Sequence, residues 1–225
     1  MKGKDHYINA EEKLNAKDFQ GAITAYSLAL QENYMSSVVL YKRGWAKMKT
    51  KAYSEAIEDF DKAIEIDPVN ATYFSERGVC WHLMGKNNLA IMDMNTAVEL
   101  EPGYGYRYSS RAYIRDTMGD TQGGIDDYTI AIELDPQDSI SINNLGMLQE
   151  KLGYKDKAQT NYKIADQLAA QTEEQKPAVK LLETQEVKTQ KQSIIKKYLL
   201  LISSIFTDKS ILKEYLEFLK KKLKL

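Results

Sequence analysis

Few residues in this chain are of the types that make or break bonds. Its histidines are His6 and His82, its one cysteine is Cys80, and Asp126–Asp127 forms an acidic pair. No His/Cys cluster has the spacing of a metal site. Cys80 stands beside Trp81 and reads as a small buried apolar residue. Gly103-Tyr104-Gly105 is not followed by a phosphate-cradling motif. Nowhere do a nucleophile, a base and an orienting group assemble. The expectation is a protein without catalytic residues, metal or cofactor.

The residue types that remain are those of recognition: aromatic rings, arginines and aspartates recurring at fixed intervals. The elements that carry them repeat. Ala71–Tyr104 superposes on Gly105–Asp138 and on Ser37–Asn70 when shifted by 34 residues, and Pro68, Pro102 and Pro136 stand one period apart. Each unit holds two helical patterns, with apolar or small residues three and four apart. The Asp67-Pro68 pair ends the second helix, because proline disfavours a helical conformation in the residue before it. Gly85, Gly119 and Gly153 close the first helices of their units, and Asn70 and Asp138 suit the N-cap of the helix that follows. The same register finds less regular units at 3–36 and 139–172, where Tyr34 and Ala170 replace the closing proline. The five units are therefore 3–36, 37–70, 71–104, 105–138 and 139–172. Irregular ends are what a stacked array needs, since a terminal unit lacks one neighbour.

Bulk properties narrow the function classes. The 225 residues are 43% hydrophobic and 28% charged, with a net charge of −1, so nothing draws the chain toward nucleic acid. One cysteine allows no internal disulfide and fits a reducing compartment. The first residues lack the apolar core of a signal peptide. The apolar run Tyr198–Phe206 is far shorter than the roughly 20 residues of a spanning helix. A cytoplasmic protein is expected.

Three places per unit are always small: Ala10, Gly44, Gly78, Ala112 and Gly146 at the eighth, Ala22, Ala56, Ala90, Gly124 and Ala158 at the twentieth, and Ala29, Ala63, Ala97, Ala131 and Ala165 at the twenty-seventh. The fourth place is large in four units (Leu40, Phe74, Tyr108, Ile142), and the twenty-fourth carries Tyr26, Phe60, Met94, Tyr128 and Tyr162. This pattern resembles the tetratricopeptide repeat family over roughly residues 3–172. The resemblance implies an all-α, right-handed superhelical solenoid of five helix-turn-helix repeats, here followed by C-terminal helices. One departure concerns the seventh place, where the family has leucine and the middle units have Arg43, Arg77 and Arg111. The twenty-third place changes with it, to Asp59, Asp93 and Asp127. An Arg–Asp bridge between the two helices of each middle unit is expected, with pairing across units as the alternative.

In this family the first helices line a concave face that holds peptides. Carried onto this sequence, the resemblance places Tyr7, Tyr41, Trp45, Met48, Val79, His82, Tyr106, Tyr113 and Met147 in that groove. Tyr and Trp offer large contact area for few frozen torsions. Family members that hold the acidic tails of chaperones use a clamp of Lys, Asn and Arg. The matching places here give Tyr7, Glu11, Lys42, Thr72 and Glu76, or, one unit later, Tyr41, Trp45, Glu76, Tyr106 and Ser110. Neither set rebuilds the clamp. The resemblance thus implies a protein or peptide partner of another chemistry.

After Thr172 the period is lost. Residues 173–225 hold 12 lysines against seven acids, and Ile194, Ile195, Tyr198, Leu199, Ile202, Ile205 and Phe206 make an apolar stripe. Three roles fit: capping the fifth unit, self-association into a homo-oligomer, or peripheral attachment to an anionic membrane. A structural assembly protein built on this tail is the alternative to a groove-binding scaffold.

Overall fold

The computed structural model describes residues 2–34 and 36–171. The readings made for residues 173–225, including the C-terminal helices, homo-oligomer and membrane contact, lie outside the described residues. Nine helices have defined bounds: α1 Lys2–Asn15, α2 Phe19–Gln31, α3 Ser37–Lys49, α4 Tyr53–Ile66, α5 Ala71–Leu83, α6 Asn87–Leu100, α7 Gly105–Thr117, α8 Thr121–Leu134 and α9 Ser139–Lys151. A tenth, α10, covers residues 155–171. Through Leu168 the helices form one compact unit. Each of α1, α3, α5 and α7 packs most closely on the helix after it, and each pair then packs on the next. The first helices also meet across units, α3 with α5 and α5 with α7, whereas second helices stay farther apart. First helices therefore line the inner side of an all-α solenoid.

Small side chains make these approaches possible. All fifteen Gly/Ala places are buried. A Cβ added to Gly44 would lie 2.9 Å from Phe60, and one added to Gly146 would lie 2.8 Å from Tyr162. The units are stitched to one another by a further place, the tenth. Ala46, Cys80, Ile114 and Leu148 each insert from a first helix into the core of the preceding unit. Cys80 is thus an inter-unit plug. Burial, with the nearby Glu76 charge adding to it, pushes its thiol up to about 12, so it stays protonated at neutral pH.

Every described first helix ends in the same way. Gly85 has φ +75° and donates its N–H to His82, while Lys86 donates to Trp81, a Schellman closure. Gly119 and Gly153 repeat it with φ of 90° and 87°. The first two units close identically with Lys17 (φ 59°) and Lys51 (φ 64°) in the left-handed region. That conformation costs a residue with a Cβ about 1–2 kcal/mol. Lys51→Gly is therefore expected to stabilise the fold by about 1 kcal/mol, after allowing for the greater unfolded freedom of glycine, read as a higher urea midpoint at unchanged slope. Side-chain N-caps are supplied by Asp18, Ser36, Asn70, Asp120 and Asp138.

Candidate functional site

Three arginines set the spacing of the units. Arg43 Nε and Nη2 donate to Asp59 at 2.8 and 2.5 Å, Arg77 to Asp93 at 2.9 and 2.7 Å, and Arg111 to Asp127 at 2.8 and 2.7 Å. Each fork is bidentate and spans the two helices of one unit. The third nitrogen reaches backward: Arg43 Nη1 donates to Ser27 Oγ (3.0 Å), Arg77 Nη1 to Asp61 (2.7 Å) and Arg111 Nη1 to Asn95 Oδ1 (3.1 Å). The Arg–Asp forks are thus made within each unit, and the contacts across units go to other residues, because a guanidinium has donors to spare. Two of the aspartates hold a second cation, Lys47 on Asp59 (2.9 Å) and Arg115 on Asp127 (3.0 Å). The three fork aspartates are buried and the arginines half-buried, their charges are mutually satisfied, and they position helices.

The inner side carries the aromatic residues. At the N-terminal end, Tyr7 packs on Tyr26 and Tyr34, and Trp45 lies edge-on to Phe19 with Lys49 Nζ 4.6 Å above its ring. Tyr41 is half-buried against Phe60 and Tyr73. Met48 lies in the inter-unit core with Ala56, Ile57, Phe60 and Cys80, and offers little free surface. The C-terminal end is more open. Val79, His82, Tyr106 and Tyr113 converge on one cavity of about 390 Å³ between α5, α7 and α9, together with Met94, Ile114, Ile140, Ser141 and Asn144. Tyr106 and Tyr113 are 54% and 58% exposed, so their rings form its accessible wall. Tyr113 meets His82 edge-on with centroids 5.3 Å apart, and His82 Nδ1 lies 2.9 Å from Asn87 Oδ1. Met147 is exposed on α9, outside the residues that line the cavity. Behind the wall, Ser109 and Ser141 share a hydrogen bond of 2.6 Å, and Asp138 accepts from the Ser141 hydroxyl at 2.5 Å.

Two charged residues on this face go beyond the groove set read from the sequence. Arg107 is 3% exposed and donates to Glu101, to Ser75 Oγ (2.7 Å) and to Thr72 Oγ1 (3.2 Å), tying α7 to α5. Glu76, on α5, is desolvated, which raises its carboxyl above the usual range despite Lys49 and Arg107 nearby. Among the described residues, no group of three His, Cys, Asp or Glu side chains has the arrangement of a metal site, and no helix is long and apolar enough to cross a membrane.

Models of the tetratricopeptide repeat match residues 37–70 and 141–172. The chain is a tetratricopeptide repeat (TPR) protein. Solved TPR structures share its fold. MamA is 24% identical, with a TM-score of 0.66 over 73% of this chain and 96% of that one. YrrB, a TPR protein with an unusual peptide-binding site, is 19% identical, with a TM-score of 0.59 over 72% of this chain and 84% of that one. The first TPR of Spaghetti (RPAP3), bound to the HSP90 peptide SRMEEVD, is 28% identical, with a TM-score of 0.51 over 52% of this chain and 94% of that one. No curated protein matches the chain in sequence. Within this TPR array, the backward acceptors Ser27, Asp61 and Asn95 had one usable signal: all three are polar and stand at the same place in their units.

Proposed function

We propose that this protein is a non-enzymatic interaction scaffold that holds a segment of a partner protein along the inner side of its first helices. The observation that carries the proposal is the cavity between α5, α7 and α9, which gathers Val79, His82, Tyr106 and Tyr113 from two helices and leaves both tyrosines accessible. Tyrosines around an apolar cavity can desolvate a partner side chain and keep their hydroxyls in water. The peptide held by the first TPR of RPAP3, and the peptide-binding site of YrrB, support the same use of the fold here. The proposal involves no cofactor, metal or nucleic acid, and a cytoplasmic setting suits the lone buried cysteine.

Co-purification from the native cell with wild-type, Trp45→Ala and Tyr113→Ala chains tests it. Tyr113→Ala is expected to weaken partner binding by about 2 kcal/mol, roughly 30-fold, with little loss of stability because the ring is exposed. Trp45→Ala is expected to have a smaller effect, since that ring already packs on Phe19 and Lys49. If both variants retain every partner at wild-type levels, the groove is not the binding surface.

A further inference from the structure

Glu11, Glu76, Asp116 and Glu150 are carboxylates carried by the first helices. Three are engaged. Glu11 accepts from the Tyr26 hydroxyl and the Lys42 ammonium. Asp116 accepts from Lys151 and Thr121, each at 2.7 Å, and Glu150 accepts from the Tyr162 hydroxyl at 2.8 Å. Glu76 differs. Among the described residues no hydrogen bond or ion pair to it is formed, although it is partly buried. The two cations near enough to act on it are committed elsewhere: Arg107 to Glu101, Ser75 and Thr72, and Lys49 to the face of Trp45. A desolvated carboxylate without a hydrogen-bonding partner is costly, and the cost is removed when a cation completes it.

Its position connects this acid to the cavity. Glu76 precedes Val79 by three residues on α5, so their side chains are neighbours on one helix face, about 5–6 Å apart at Cβ. On the other side it is within electrostatic reach of Tyr41 on α3, whose hydroxyl is pushed up to about 12 by burial and then by the Glu76 charge. The groove thus runs from the half-buried Tyr41 ring past the partly buried Glu76 carboxylate to an apolar cavity of about 390 Å³.

Resting on the groove function proposed above, we infer that the partner segment carries a lysine or arginine that pairs with Glu76, next to a bulky apolar side chain that enters the cavity walled by Tyr106 and Tyr113. The charge preference is opposite to that of the acidic HSP90 peptide held by the first TPR of RPAP3. Binding completes the carboxylate with a charge-assisted hydrogen bond, a contact about twice as strong as a neutral one.

Selection from a random peptide display library on the immobilised 225-residue chain tests the inference, run in parallel on wild type, Glu76→Gln and Tyr113→Ala. The wild-type pool is expected to be enriched in Lys or Arg close to a large apolar residue. A synthetic peptide from that pool should bind at least about tenfold more tightly than the same peptide with its basic residue exchanged for methionine, and Glu76→Gln should erase the difference. Glu76→Gln should also melt no lower than wild type, because it removes an unpaired desolvated charge. A lower melting point, an acid-rich pool, or a basic preference that survives Glu76→Gln overturns the assignment of Glu76. In the last two cases, sensitivity to Tyr113→Ala would leave the groove function standing. A pool unaffected by Tyr113→Ala, or no enrichment at all, overturns both.

Discussion

Replacing Asp127 with alanine is expected to destabilise the protein by about 3–5 kcal/mol, the usual loss when one member of a buried ionic cluster is removed. The Asp127 side chain is 2% exposed and holds two cations, Arg111 bidentately and Arg115 at 3.0 Å. Without it, Arg111 keeps the neutral acceptor Asn95 at 3.1 Å and the face of Tyr108, and Arg115 keeps the Gly123 carbonyl at 3.2 Å and a loose contact with Asp120 at 3.8 Å. The half-buried Arg111 guanidinium would then sit between α7 and α8 without a carboxylate partner, and Arg115 would be left with its weak Asp120 contact. Asp93→Ala is the matched comparison. Asp93 holds one cation, through two hydrogen bonds, and Arg77 would retain Asp61 at 2.7 Å, so the loss should be smaller, about 1.5–3 kcal/mol, the scale of a hydrogen-bonding contact to a charged group when a charged partner remains. Urea unfolding of both variants measures the difference. Equal losses would show that the backward contact to Asp61 contributes nothing.

Gly78→Leu is expected to cost about 3 kcal/mol, at the upper end of the usual range for overpacking. A Cβ at this position would meet the Ala90 carbonyl oxygen, Asp93 Cβ and Met94 Cε, each at 3.2 Å. The first of these is backbone, so the added atoms cannot be accommodated by a rotamer change alone. Leucine would have to separate α5 from α6, which also lengthens the Arg77–Asp93 fork that joins them. Thermal melting gives the loss, and a melting point within a degree or two of wild type would mean that the helices are not held at contact distance by this place.

The same geometry explains what could be read from residues alone. Ala and Gly recur at three places per unit because two backbones approach there, and no other side chain leaves room; a steric limit of that kind is written directly in residue type. The Arg–Asp forks were legible because both members change together, present in the middle units and missing from the end ones. Their backward contacts were harder to see, since Ser27, Asp61 and Asn95 share only the ability to accept a hydrogen bond. Lys17 and Lys51 hid a turn that glycine announces in the other units, because the Schellman closure depends on backbone hydrogen bonds that lysine can make at an energetic cost.

Period, helix pairing and the small-residue contacts were thus determined by the sequence itself, because each is a local or strictly repeating constraint. Only the tertiary structure decided that Met48 belongs to the core, that Tyr106 and Tyr113 stand over a cavity, and that Glu76 is left without a hydrogen-bonding partner. Those outcomes depend on competition between side chains from three different units. Arg107 could have paired with Glu76, but Glu101, Ser75 and Thr72 hold it, and that contest is settled by distances among α5, α7 and the turn between units.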